Sequence, residues 1–173
     1  MSDITIKEQL EQRVPTLEEH FLRRDLLYCA PATLSFSGTG WLDKILIRNP
    51  SDSGKNIIVF MTKAYLDLAA TTNQLNAINC RVFKGPTITA DGTTVNTRNL
   101  TVGGSNTTQL EVYSDPTISV NGQALFRCAA INNGVDLCTP FKIEPNNEVL
   151  IQLQVNDANN GAWFNIFWAE DNA

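Results

Sequence analysis

One histidine and a scatter of acids carry what reactive potential this 173-residue chain has. His20 lies between Glu18-Glu19 and Arg23 in a run of helical character. A Ser-His-Asp or Cys-His centre needs a base within hydrogen-bond reach of a nucleophile and a carboxylate to orient it, so His20 reads as a solvated helix residue. The acids available for two-carboxylate chemistry are Asp67, Asp91, Glu111, Asp115, Asp136, Glu144 and Glu148, and most fall at turns or strand ends, where acids are common. No catalytic residue is assigned, and no enzyme is expected.

Ligand chemistry fares no better. Cys29, Cys80, Cys128 and Cys138 lack any C-x-x-C pair or neighbouring His, so no zinc site is expected. Their apolar contexts favour reduced thiols acting as small hydrophobes, with a Cys128–Cys138 hairpin bridge as the alternative. Asp91-Gly92, and Asp157 with Asn159 and Asn160, lack the regular spacing of a calcium loop, and Gly103-Gly104-Ser105-Asn106 is not a phosphate-binding loop. No metal and no cofactor are expected. Trp41, Trp163 and Trp168 could supply a sugar-stacking platform, of which Trp41 and Trp163 are the candidates kept, against a reading in which tryptophans near strand ends simply pack.

The elements that must position these residues divide the chain in two. Ile6, Leu10, Val14, Leu17 and Phe21 recur at helical spacing, with Leu22 and Leu26 extending the stripe. Pro15 interrupts it, and Thr16 with Glu19 makes a capping box that restarts a helix. Residues 1–27 are therefore expected to form a short helical arm. Its apolar face either packs on the domain's own core or docks on a partner, and the docking reading is carried forward through those five residues.

From residue 28 onward the pattern is short β-like runs, ATLSFSG, DKILIRN, KNIIVFMTKAYL, CRVFKG, TQLEVYS, ALFRCAAI, EVLIQLQVN and AWFNIFWAE, separated by Gly-, Asn-, Asp- or Pro-bearing turns. YLDLAATTNQLNA, at 65–77, is ambiguous between a strand end and a short helix. Val149, Ile151, Leu153 and Val155 alternate with Leu150, Gln152, Gln154 and Asn156. Phe164, Ile166 and Trp168 alternate with Asn165, Phe167 and Ala169. Each strand thus has a core face and a face toward water or a partner, and the two read as a closing hairpin. The fold class expected is mainly β: an antiparallel jelly-roll-like sandwich over 28–173 with the helical arm before it.

Thirteen basic against 18 acidic residues give a net charge of −5, and charged residues make up only 18% of the chain. The longest basic run is Arg23-Arg24, so a nucleic-acid partner is not expected. Residues 1–14 lack a signal-peptide pattern and no apolar run is long enough to span a bilayer, so the expectation is cytosolic synthesis without export or membrane insertion.

The middle of the chain, GTTVNTRNLTVGGSNTTQLEVYSDPTISVN, is crowded with Thr, Asn, Ser and Gly. Such short side chains order at low entropic cost and suit a surface laid against protein. Val95, Leu100, Val102, Leu110, Val112 and Ile118 are expected on the core side. Thr94, Asn96, Thr101, Thr107 and Thr108 are the candidates for subunit contact.

Over about residues 85–170 the chain resembles a group of small tailed-phage structural proteins. Gly92, Thr93, Val95, Asn99 and Leu100 match its G-T-x-[VL]-x-x-x-N-L segment, and Glu144-Pro145-Asn146-Asn147, Leu150 and Phe167-Trp168-Ala169-Glu170 match a later strand pair. Glu144 stands where that group has Lys, and Val149 where it has an aromatic. The resemblance implies a β-sandwich in a phage virion, often trimeric, serving as capsid decoration, head fibre or tail component, with no catalytic residues to carry over. The expectation is a capsid decoration (cement) or head-fibre protein bound to the major capsid protein or another virion protein, with a homotrimer as its oligomeric state. The alternative is a tail or baseplate module that binds a receptor or glycan.

Overall fold

A computed structural model describes residues 26–67, 77–105, 107–131, 134–137, 140–157 and 161–172. The expected arm lies, up to residue 25, outside the described residues, and so does the ambiguous stretch 68–76. The described residues hold strands and no helix.

Two six-stranded antiparallel sheets face each other. The first holds β1 (Leu27–Leu34), β3 (Lys55–Asp67), β7 (Arg98–Asn99), β11 (Gly134–Leu137), β12 (Phe141–Ile143) and β14 (Gly161–Asn172), in the order β11-β3-β14-β1-β7 with β12 also on β3. The second holds β2 (Leu42–Asn49), β4 (Ala77–Lys84), β6 (Thr93–Thr94), β8 (Glu111–Ser114), β10 (Gln123–Ile131) and β13 (Asn147–Val155), in the order β10-β4-β13-β2-β8-β6. A two-stranded ladder pairs β5 (Thr87–Ala90) with β9 (Thr117–Val120).

The pairings nest. β1 runs beside β14, β2 beside β13, β3 beside β11 and β12, and β4 beside β10. The chain is thus one long hairpin rolled on itself, and this nesting is the strand order of a jelly roll. Residues 85–122 form an excursion at its turn. β13 and β14, expected as a closing hairpin, lie in different sheets: in the rolled arrangement each pairs with the other arm, β13 with β2 and β4, β14 with β1 and β3. Alternation alone fixes which face is apolar but not which strand is the neighbour.

The expected alternation holds. Tyr28, Ala30, Leu34, Ile57, Val59, Phe164, Ile166 and Trp168 from the first sheet meet Ile45, Ile47, Cys80, Val82, Val149, Ile151, Leu153 and Val155 from the second in one buried cluster. Trp168 is fully buried and stacks on Tyr28, centroids 5.8 Å apart, so it belongs to the core and not to a sugar platform. The outer face of the second sheet departs from expectation, since Leu150 and Gln152 are buried too. Gln152 donates to Asp43 Oδ1 at 2.8 Å and to Asn121 Oδ1 at 3.1 Å, which ties the β9–β10 turn to that face. At Gln152 that face meets the chain's own excursion through Asn121.

β1 begins at Leu27, one residue before the expected boundary at 28, and Leu26 packs with Leu27, Phe60 and Ala169 in a second small cluster. Cys80 is buried, and burial raises its thiol pKa far above the usual value. Cys29 is half-buried and its pKa is raised by the same cause, with Arg98 opposing. Cys128 faces Cys80 in register, and Cys138 lies outside the described residues.

Candidate functional site

The excursion gathers the polar middle of the sequence onto one face. Val95 N–H donates to Val112 O at 2.8 Å, and β6 pairs with β8, so Val95, Leu110 and Val112 drop into the core as expected. Above them lies a cleft of about 330 Å³ lined by Thr94, Asn96, Thr97, Thr107, Thr108 and Tyr113 among others. Four of the five expected contact residues, Thr94, Asn96, Thr107 and Thr108, therefore share one concavity. Thr94, Asn96 and Thr107 are exposed there.

The fifth does not join them. Thr101 belongs to a tight turn in which Gly104 N–H donates to its carbonyl and its own N–H donates to Asn99 Oδ1, and its hydroxyl is buried. The same turn corrects two core expectations. Leu100 and Val102 are exposed, Val102 fully, because Val102 sits at the turn's tip next to Gly103. Ile118, in the short β9, is only half-buried.

Two clusters fix the walls of the cleft. At one end Glu170, buried near the end of β14, accepts hydrogen bonds from the Thr108 hydroxyl, from Gln109 N–H at 2.9 Å and from Trp168 Nε1 at 3.4 Å. Thr108 thus spends its hydroxyl internally and acts as a positioning residue. Ser105 Oγ donates to Thr107 Oγ1 at 3.0 Å and accepts from Thr107 N–H at 3.2 Å, which closes the loop on itself.

At the other end Arg48, on β2, collects three of the seven acids. Its Nη atoms hold Asp91 in a fork at 2.6 and 2.9 Å, its Nε donates to Glu148 at 2.6 Å, and Glu111 lies 3.5 Å from Nη1. The guanidinium also sits over the Tyr113 ring at 5.4 Å, and Tyr113 Oη donates to Glu111 at 2.9 Å. The bidentate bond from Arg48 holds the Asp91 carboxyl below the usual carboxylate range, and burial, followed by the bond to Glu111, pushes the Tyr113 phenol up. An acid pinned by a guanidinium is a poor general base or calcium ligand, and these three act as anchors for the excursion. The sequence offers no direct signal for Arg48, because the acids it gathers come from three distant strands or turns.

The remaining acids are spread out. Asp115 pairs with Lys44, and Glu144 with Lys142 at 2.8 Å. The side chains of Asp67 and Asp136, and all of His20, lie outside the described ones. Among the described residues no three His, Cys, Asp or Glu side chains gather as metal ligands.

The two kept tryptophans do not form one platform. Trp163, half-exposed, follows core-facing Ala162 and precedes core-facing Phe164, so it points outward from the first sheet. Trp41 lies on the outer face of the second sheet, with Arg81 stacked 3.8 Å from its ring centroid and Arg127 at 5.3 Å.

Neither a protein family nor a curated protein matches the sequence. Among solved structures, the chain is similar to an acid-stable capsid structure of Helicobacter pylori bacteriophage KHP30, at 15% identity over 83% of this chain and 87% of that one, with a TM-score of 0.32. It is also similar to the Yersinia pseudotuberculosis-derived mitogen, at 10% identity over 85% and 88% with a TM-score of 0.29. A human norovirus particle gives 12% identity over 81% of this chain and 29% of that one, with a TM-score of 0.27. These overlaps are loose superpositions of β architecture, and none places a residue.

Proposed function

We propose that the chain is a non-enzymatic structural protein of a tailed-phage virion, a capsid decoration or head-fibre subunit held by protein–protein contacts and assembled as a homotrimer. The observation that carries this reading is the cleft: Thr94, Asn96 and Thr107, short and uncharged, stand exposed on a surface whose ends are fixed by Glu170 and by Arg48. Such a surface is organised before contact, so little conformational entropy is lost on docking. The resemblance of residues 85–170 to tailed-phage structural proteins supplies the virion context, and the cleft lies within that span.

Sedimentation of the purified chain and of an Asn96→Arg, Thr107→Arg variant tests it. A trimer that the variant dissociates, with its circular dichroism unchanged, supports the cleft as a subunit contact. A wild-type monomer at tens of micromolar, or a trimer indifferent to both arginines, argues against it.

The receptor-binding alternative rests on Trp163, the half-exposed indole. A glycan array read with the wild type and with Trp163→Ala separates the two: sugar binding lost in the variant would favour the tail-module reading.

A further inference from the structure

Arg81 of β4 and Arg127 of β10 stand directly opposite each other in their ladder, and both lie over Trp41. Like charges so placed repel, and each cation–π contact with the indole offsets part of that repulsion. Among the described residues neither guanidinium has a carboxylate partner in an ion pair. In a chain of net charge −5, the two arginines make this corner cationic.

Beside the arginines runs a groove of about 390 Å³ whose other walls are Phe83, Ala124, Leu125 and Phe126. A register shift between Ala124 and Phe126 makes Leu125 the extra residue of a bulge, and it is 41% exposed. Among the described residues β10 is the terminal strand of its sheet, and a terminal strand offers backbone donors and acceptors to an added strand. A bulge and charges also guard an edge against aggregation. Guarding does not account for two cations stacked on one indole beside an apolar groove.

We propose that this corner binds an acidic, extended segment of a partner protein, with carboxylates on Arg81 and Arg127, an apolar side chain in the groove against Leu125, and backbone hydrogen bonds along β10. The groove beside the stacked guanidiniums is walled by Phe83, Ala124, Leu125 and Phe126, and these apolar walls favour peptide over saccharide. The site is separate from the polar cleft and does not depend on it.

Calorimetric titration of the full chain tests the assignment, using a terminally blocked peptide of alternating Glu and Leu, its Gln and Leu counterpart, and a heparin hexasaccharide. The acidic peptide is expected to bind saturably, at least tenfold more tightly than the Gln peptide, and more weakly as salt rises. Arg81→Gln with Arg127→Gln should weaken it at least tenfold. Arg127→Gln alone, at an exposed position, and Leu125→Ser, in the groove wall, should each weaken it severalfold with an unchanged melting temperature. No binding of the acidic peptide, equal binding of the two peptides, full affinity in the arginine variants, or tighter binding of the hexasaccharide would each overturn the proposal.

Discussion

The hydroxyl of Thr108 donates to the carboxylate of Glu170, across 62 residues of chain, and the same carboxylate takes the N–H of Gln109. A buried acid near the end of the last strand thus holds the loop that shapes one end of the polar cleft. Replacing Glu170 by Ala leaves those donors without their acceptor. The expected loss is about 2–3 kcal/mol, or a melting temperature lower by roughly 5–10 °C. Amide exchange at Gln109 should accelerate by more than global destabilisation accounts for, and an unchanged Gln109 relative to the core strands would refute the anchoring role.

Arg48 anchors the other end, and its effect depends on pH. Because Asp91 has its folded pKa depressed by the guanidinium, the pair stabilises fully above the unfolded value near 4 and loses that contribution as pH falls through the lower folded value. Arg48→Met should cost about 1–2 kcal/mol at neutral pH. The gap between wild type and variant should narrow as pH falls below the unfolded carboxylate value. Urea melts at several pH values read this directly, and a gap that does not close would show that Asp91 is not the linked group.

The backbone of the excursion is tested at its glycines. Gly92 has a φ of 92°, and a Cβ there would come within 2.2 Å of Ser114 O; Gly122 has a φ of 87°, with Lys84 O at 2.3 Å. Ala at either position should destabilise by more than about 1 kcal/mol. Gly54→Ala, with a positive φ but open space around it, should cost less. Equal losses at all three would mean that conformation alone decides.

Much of this architecture was readable in the residues, and what was hidden has a physical pattern. The period-2 apolar faces of β13 and β14 place Val149, Ile151, Phe164 and Trp168 in the core. Pairing is not readable, because a strand's alternation is indifferent to which neighbour it meets, and the closing hairpin expected of β13 and β14 gives way to strands in opposite sheets. Thr94, Asn96, Thr107 and Thr108 came together because polar composition marks the surface. Arg48 and the Arg81–Trp41–Arg127 stack went unseen because each needs residues that only tertiary folding makes adjacent.

The arm gives a further prediction. The described strands from Leu27 onward share one large buried cluster, so deletion of residues 2–25, stopping short of Leu26 and β1, should leave the β-sheet circular dichroism intact. If Ile6, Leu10, Val14, Leu17 and Phe21 dock on a virion partner, the truncated chain should fail to co-sediment with particles that bind the full chain. Collapse of the β signal would instead make the arm part of the fold.

The central claim, a structural role in a virion, is tested most directly by quantitative mass spectrometry of density-gradient-purified particles from cells expressing this chain's gene in its natural phage context. The account predicts its peptides in the particle band at a fixed ratio to the major capsid protein, resistant to salt washing. Its recovery only in the unassembled fraction, with the particle band free of it, would contradict the account.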